Sequence, residues 1–130
     1  MAQLSNAARV LFAGANYAHI ATVLPSGAPH SVPIWVDVEG DRVAFLTDPT
    51  SRKARNIVHD PRVAISITRH DNPFDMAQVR GRVIERVEGE RAWTIIDRIS
   101  QKYTGRPYGL RTDRVVFLVE PDFVWQQKFG

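Results

Sequence analysis

The sequence predicts a mainly β domain with helices (α+β class), built as a small antiparallel barrel. Three observations carry this. Six or seven short runs of strand character are separated by turn signals at regular spacing. Their order is hairpins, a short helix, two strands, a longer helix, then strands again. The chain has 130 residues, 44% hydrophobic and 24% charged, which is one ordinary globular domain spanning residues 1–130. A domain of this size buries about two-thirds of its unfolded-chain surface.

Residues 3–14 read as a short amphipathic helix with Leu4, Ala7, Ala8, Leu11 and Phe12 on one side. Tyr17–Leu24 is an apolar first strand, and Pro25-Ser26-Gly27-Ala28 is a turn. Ser31–Val38 reads as one strand. Val32, Ile34, Val36 and Val38 share a face, and Pro33, Trp35 and Asp37 take the other. Proline inside a strand points to an edge or a bulge. Glu39-Gly40-Asp41 is a tight turn into Arg42–Thr47. After a short helix that ends before Pro61, Arg62–Thr68 alternates as a strand. The loop His70–Pro73 then leads to Met76–Val87, which Gly81 marks with a bulge or barrel bend. Glu88–Tyr103 is the longer helix and Thr104–Thr112 a Gly/Pro loop. Arg114–Glu120 and Phe123–Lys128 are final strands broken at Pro121.

The short helix, opening at Thr50-Ser51-Arg52-Lys53-Ala54-Arg55-Asn56, breaks a local rule. Asp48, Thr50 or Ser51 can cap it. Its first turns carry Arg52, Lys53 and Arg55 and no acid, although the start of a helix is its positive end. Each such cation is unfavourable by a few tenths of a kcal/mol, roughly. Unpaired N–H groups plus three cations make an anion site, above all for phosphate; a solvated basic face is the alternative. The longer helix obeys the rule, with Glu88 and Glu90 at its start and Lys102 at its end.

Composition and motifs exclude much else. The net charge of +3 and pI of 9.7 favour acidic partners, yet acids are interspersed and no basic tail exists. Zero cysteines rule out disulfides, thiolate catalysis and cysteine-ligated metals. No apolar run is long enough to span a bilayer, and no signal peptide is read at the N-terminus; a cytoplasmic location is expected. P-loop and dinucleotide fingerprints are absent, as is G-x-S-x-G. His19, His30, His59 and His70 lack metal-ligand spacing, so no metal is assigned. Nucleic-acid binding is not expected, because the arginines are mixed with acids and most aromatics alternate with core residues. Trp35 is either a surface for a planar ring or a core aromatic. Arg80 and Arg82 share a strand face and could bind an anion or pair with Glu85 or Glu88.

The run Ile20–Trp35 (IATVLPSGAPHSVPIW), then Val43–Thr47 (VAFLT), Ser51–Ala64 (SRKARNIVHDPRVA), Val79–Val83 (VRGRV) and Lys102–Gly105 (KYTG) carries a resemblance. In this order and spacing the chain resembles the flavin/deazaflavin oxidoreductase superfamily, with a pyridoxamine phosphate oxidase-like fold. It is most similar to the small actinobacterial deazaflavin-dependent reductases of group B. The resemblance covers about residues 4–126 and implies a split β-barrel, as in FMN-binding proteins, working as a homodimer with the cofactor at the subunit interface. It implies coenzyme F420 as cofactor, with FMN as the alternative, and hydride transfer to a small unsaturated, quinone-like or tetrapyrrole-like molecule. A non-enzymatic F420 or haem carrier is a further alternative. By resemblance Ser51, Lys53, Arg55 and Asn56 hold the cofactor phosphate with help from Arg52. Thr47 lies near the ribityl-like chain, Pro33 and Trp35 face the ring, and Gln78 lines the groove from the same or the partner subunit. The surplus arginine leans toward F420, whose oligoglutamate tail suits a basic groove. No catalytic residue is assigned; solvent, Tyr103 or Lys102 are the candidate proton donors.

Overall fold

The computed structural model describes residues 2–129 and arranges them as a seven-stranded sheet with three helices. The strands are β1 (Ala18–Val23), β2 (Pro29–Ile34), β3 (Val36–Glu39), β4 (Arg42–Thr47), β5 (Arg62–Arg69), β6 (Asn72–Val87) and β7 (Val115–Lys128). The helices are α1 (Asn6–Ala13), α2 (Arg52–His59) and α3 (Gly89–Thr104). Every strand pair is antiparallel, in the order β2-β1-β5-β6-β7-β4-β3. The two outermost strands, β2 and β3, are consecutive in the chain with Trp35 alone between them. The chain therefore ties one edge of the sheet to the other, and the sheet must curl until its edges approach. This is the expected split barrel.

Alternation fills the interior. Ile20, Val36, Val43, Phe45, Ile65 and Phe117 are fully or almost fully buried inside the curl, joined by Ala8, Leu11 and Phe12 of α1. Each large side chain so buried contributes about 2–3 kcal/mol. A second cluster lies outside the barrel wall. There α3 lays Ala92, Ile95, Ile96 and Ile99 on Ala44, Val116 and Leu118. Strands β4 and β7 are thus covered on both faces, so Val115–Val119 reads as an unbroken apolar run. Among the described residues no helix is long and apolar enough to cross a membrane.

Three details differ from the sequence reading. The strand expected over Ser31–Val38 is two strands on opposite sheet edges, divided at Trp35. Pro33 sits in edge strand β2, where its missing N–H costs no ladder bond. Pro121 does not break β7. It pairs with Gly81 at a register shift in β6, and the bulge absorbs the irregularity. Glycine is required there, since a Cβ on residue 81 would lie 2.1 Å from the Glu120 carbonyl oxygen. The loop expected over His70–Pro73 is shorter, with Asn72 and Pro73 already in β6.

The end of α3 secures the junction between β2 and β3. The Val36 N–H donates to the Tyr103 hydroxyl (3.3 Å), and Lys102 Nζ donates to the Val36 carbonyl. Lys102 also donates to the Phe12 carbonyl (3.1 Å), and the Tyr103 hydroxyl donates to the Asn16 carbonyl. Asn16 is itself buried, donating to Leu11 O (2.9 Å) and accepting from His70 N–H (2.8 Å). The backbone of an edge residue, α1 and the loop before β1 are thereby joined through two side chains of α3. Burial pushes Lys102 down to about 8, against the pull of Asp37, which lies 3.9 Å away. Burial likewise pushes Tyr103 up to about 12.

Two outcomes are expected. Gly81→Ala should lose about 3 kcal/mol in urea unfolding, because the added methyl meets backbone that cannot swing aside. A loss below about 1 kcal/mol would show that the bulge relaxes freely. Lys102 binds its proton less tightly when folded, so between about pH 8 and pH 10.5 the unfolded chain holds more of it and stability rises with pH. The unfolding free energy of the wild type should therefore gain about 1–3 kcal/mol on that of Lys102→Met across this window. A constant difference would contradict the desolvated state of Lys102.

Candidate functional site

Strand β4 ends at Thr47, and a short turn leads into α2. Ser51 is the N-cap: its Oγ accepts the Ala54 N–H at 3.2 Å and lies 2.8 Å from Thr47 Oγ1. Asp48 Oδ1 accepts from the Thr50 N–H and from the Thr50 hydroxyl, both at 2.7 Å. These bonds, backbone first, hold the Asp48 carboxyl below the usual carboxylate range. The helix follows from its sequence: a serine cap, no β-branched residue before Ile57, and Pro61 beyond its end. Its first amide groups lack partners in a preceding turn. Ser51 takes that of Ala54 and leaves those of Arg52 and Lys53 available to an anion.

The charges on α2 are what sets it apart. Among the described residues, Arg80, Arg106 and Lys128 are the cations outside α2 that have no carboxylate within salt-bridge distance. Within α2, none of Arg52, Lys53 and Arg55 has one. Arg52 Nε instead donates to Asn56 Oδ1 at 2.9 Å. Lys53 is half-buried, and desolvation lowers its pKa, with Asp48 opposing. Residues two apart project from opposite sides of a helix, so Lys53 and Arg55 do not share a face, whereas Arg52 and Arg55 do.

Lys53 lines a cavity of about 340 Å³ together with Tyr17, Pro33, Ile34, Trp35, Leu46 and Tyr108. One face of Trp35 is stacked on Tyr103, centroids 5.1 Å apart and planes 7° from parallel. Tyr108 meets Trp35 edge-on at 6.3 Å and 88°. Tyr108 is fixed in turn by Asp97, whose Oδ1 accepts the Tyr108 N–H (3.0 Å) and an Arg111 N–H (2.6 Å). The cavity thus has aromatic walls and one ammonium with no carboxylate within salt-bridge distance.

The structure brings Pro33, Trp35 and Lys53 together here, with Thr47 and Ser51 bonded to each other at the start of α2. Asn56 sits elsewhere. It is fully buried, donates to Thr22 Oγ1 at 3.0 Å and accepts from Arg52, so its side chain is spent inside the protein. Gln78 lies on the outer face of β6 beside Ser66, Trp125 and Phe123, in a separate depression of about 470 Å³. Arg80 and Arg82 do not pair with Glu85 or Glu88: Arg80 lies over the Phe123 ring (4.3 Å) and Arg82 pairs with Asp122 (3.1 Å). Tyr103 and Lys102 are engaged in the junction described above and face backbone carbonyls. Tyr17 and Tyr108 escaped the sequence reading as wall residues. An aromatic in a Gly/Pro loop was the available signal for Tyr108.

The comparisons with known proteins agree on the fold. A solved structure described as an F420 reductase is 30% identical, covering 90% of this chain and 94% of that one, with a TM-score of 0.79. A haem-binding protein from Mycobacterium smegmatis is 21% identical over 100% of this chain and 56% of that one (TM-score 0.73). A pyridoxamine 5'-phosphate oxidase-related, FMN-binding protein from Nostoc punctiforme is 17% identical over 85% and 73% (TM-score 0.63). These last two likenesses concern the fold alone. No match is found among curated proteins. Residues 4–128 match the model of the pyridoxamine 5'-phosphate oxidase family, and the chain belongs to that family.

Proposed function

We propose that the protein is a cytoplasmic, homodimeric reductase of the group B deazaflavin-dependent branch. It would bind coenzyme F420 and pass hydride from the reduced form to an unsaturated, quinone-like or tetrapyrrole-like small molecule. The observation that carries this reading is the set of unpaired cations on α2 beside an aromatic-walled cavity. A phosphate at the start of α2 would neutralise charges that the helix dipole otherwise disfavours. Lys53 would hold it from the cavity side, Arg52 and Arg55 from the other, with Ser51 and Thr47 offering hydroxyls. Asn56 would act indirectly, by orienting Arg52.

The hydride chemistry belongs to the cofactor. This chain supplies binding, orientation and exclusion of water. Trp35, backed by Tyr103, and Tyr108, backed by Asp97, would fix the plane in which a flat ring lies. Neither Tyr103 nor Lys102 is placed as a proton donor, since both are bonded into the β2–β3 junction. Solvent remains the donor proposed.

The identity of 30% to an F420 reductase supports F420. The surplus arginine does not, because ion pairs consume most of it. A single unpaired cluster matches one terminal phosphate, and that observation favours FMN as the second reading.

The dimer would form on the outer face of β1, β5, β6 and β7. Phe123 and Trp125 are 40% and 38% exposed there, and no helix covers them. Gln78 lies on this face, so it would reach a groove shared with the partner. Phe123→Glu should therefore give a monomer by light scattering where the wild type is a dimer. A dimer that survives the change would place the interface elsewhere.

Titration of the protein into oxidised F420, followed by fluorescence with FMN in parallel, tests the cofactor. Micromolar F420 binding and weak FMN binding are expected; the reverse would select FMN. Lys53→Ala with Arg55→Ala should weaken binding by about 2–4 kcal/mol, at ~1.5–3 kcal/mol for each charge-assisted bond with some non-additivity. Unchanged affinity in the double variant would remove the phosphate from α2.

A further inference from the structure

We propose that Arg114 is a positioning residue that holds the Asp48 carboxylate away from Lys53, so that the start of α2 stays open to an anion. The inference rests on the reading that a phosphate binds at α2, and it adds a control on that binding from outside the helix.

Asp48 is the acid that can close the site from within. It stands in the turn between β4 and α2, three residues before the N-cap Ser51. Its charge acts on Lys53, yet no salt bridge joins the two. The Thr50 N–H and the Thr50 hydroxyl both donate to its Oδ1. Those bonds fix one oxygen and leave the carboxylate free to turn about it. A carboxylate turned onto Lys53 would take the place of the anion and supply the negative charge that a helix start attracts.

Arg114 decides where the second oxygen goes. Its side chain is only 10% exposed, against 48% for Asp48. Its Nη1 donates to the Asp113 carbonyl (2.7 Å) and to Thr112 Oγ1 (3.2 Å), which fixes the guanidinium just before β7. From that place the same nitrogen reaches Asp48 Oδ2 at 3.5 Å. At this length the contact is an ion pair more than a strong hydrogen bond. A nearly buried guanidinium needs a countercharge, and among the described residues Asp48 is the only carboxylate within salt-bridge distance of it. The pair therefore occupies Asp48 on the side of β7 and leaves the cations of α2 without an internal partner.

Inorganic phosphate is the probe. The full-length protein is titrated with it at constant ionic strength, and the amide signals of Arg52, Lys53 and Ala54 are followed by NMR. Arg114→Gln should weaken phosphate binding roughly threefold to fivefold. In the Asp48→Asn background the same change should cost less than about twofold, because no carboxylate is left to restrain. An equal cost in both backgrounds would mean that Arg114 touches the anion itself, and would overturn the proposal. Asp48→Asn alone is a conservative change at an exposed position and should tighten phosphate by no more than about twofold. A tenfold gain would show that Asp48 obstructs the site with Arg114 in place, and would also overturn it.

The titration of Lys53 itself, followed by NMR without phosphate, separates this inference from the reading beneath it. Arg114→Gln should raise the Lys53 pKa as Asp48 turns to it, and by more than the same change does in the Asp48→Asn background. A rise of equal size in both backgrounds is the loss of a neighbouring charge alone, and would overturn the proposal whatever phosphate does. The expected rise, with no response of the α2 amides to phosphate in the wild type, would instead overturn the phosphate reading and leave the restraint on Asp48 standing.

Discussion

The molecule depends on the way its sheet is closed. One residue, Trp35, separates two strands that lie at opposite edges of a seven-stranded order. A β-sheet edge leaves backbone groups unpaired, and a buried unpaired group costs about 1–3 kcal/mol. At Val36 the C-terminal turn of α3 meets that need, with Tyr103 on the N–H and Lys102 on the carbonyl. The same two side chains reach Phe12 and Asn16, so α1, the β2–β3 junction and α3 are joined at one place. A desolvated lysine is an expensive fastener. Its Phe12 and Val36 partners and the nearby Asp37 offset part of that cost.

Closure also builds the cavity. It carries Trp35 to the side of β4, near the turn that starts α2, and Tyr103 stacks behind it. Pro33 and Ile34 arrive on the preceding strand and Leu46 on β4, while Asp97 of α3 ties Tyr108 into place. The walls come from four stretches distant in sequence, whereas the charge comes from one. This division explains the character of the site. Its aromatic shape is a property of the whole fold, and its unpaired positive charge is local to the eight residues of α2. The uncompensated cations of α2 weaken the helix, a cost that the proposed anion would offset.

The local charge was legible in the sequence because it needs no tertiary information. Three cations at a helix start, with a serine cap before them, are visible in the row of letters. The same holds for β4 and β5, whose alternation and turns place them within a residue. What escaped depends on long-range geometry. Ser31–Val38 alternates without interruption, and nothing local says that the chain changes edges at Trp35. Pro121 reads as a strand break until Gly81 is known to sit opposite it. Asn56 lies in the phosphate-like motif, yet its side chain faces Thr22 on β1, and only the packed structure reveals that. The basic surplus looked like a groove for an acidic tail. In three dimensions nearly every arginine beyond α2 has an acidic neighbour, so net charge overstated the free positive field.

The central claim is that the unpaired cations of α2 and the neighbouring aromatic cavity form one anionic-cofactor site. The most direct test is a crystal structure of the protein grown with the cofactor that it binds. The account predicts the cofactor phosphate at the start of α2, within hydrogen-bond reach of Lys53 and the first amides of the helix, with the ring against Trp35 and Tyr108. A phosphate found elsewhere, for example among Arg86, Arg111 and Arg114 beside Trp93, would contradict it and leave the charges of α2 without a purpose.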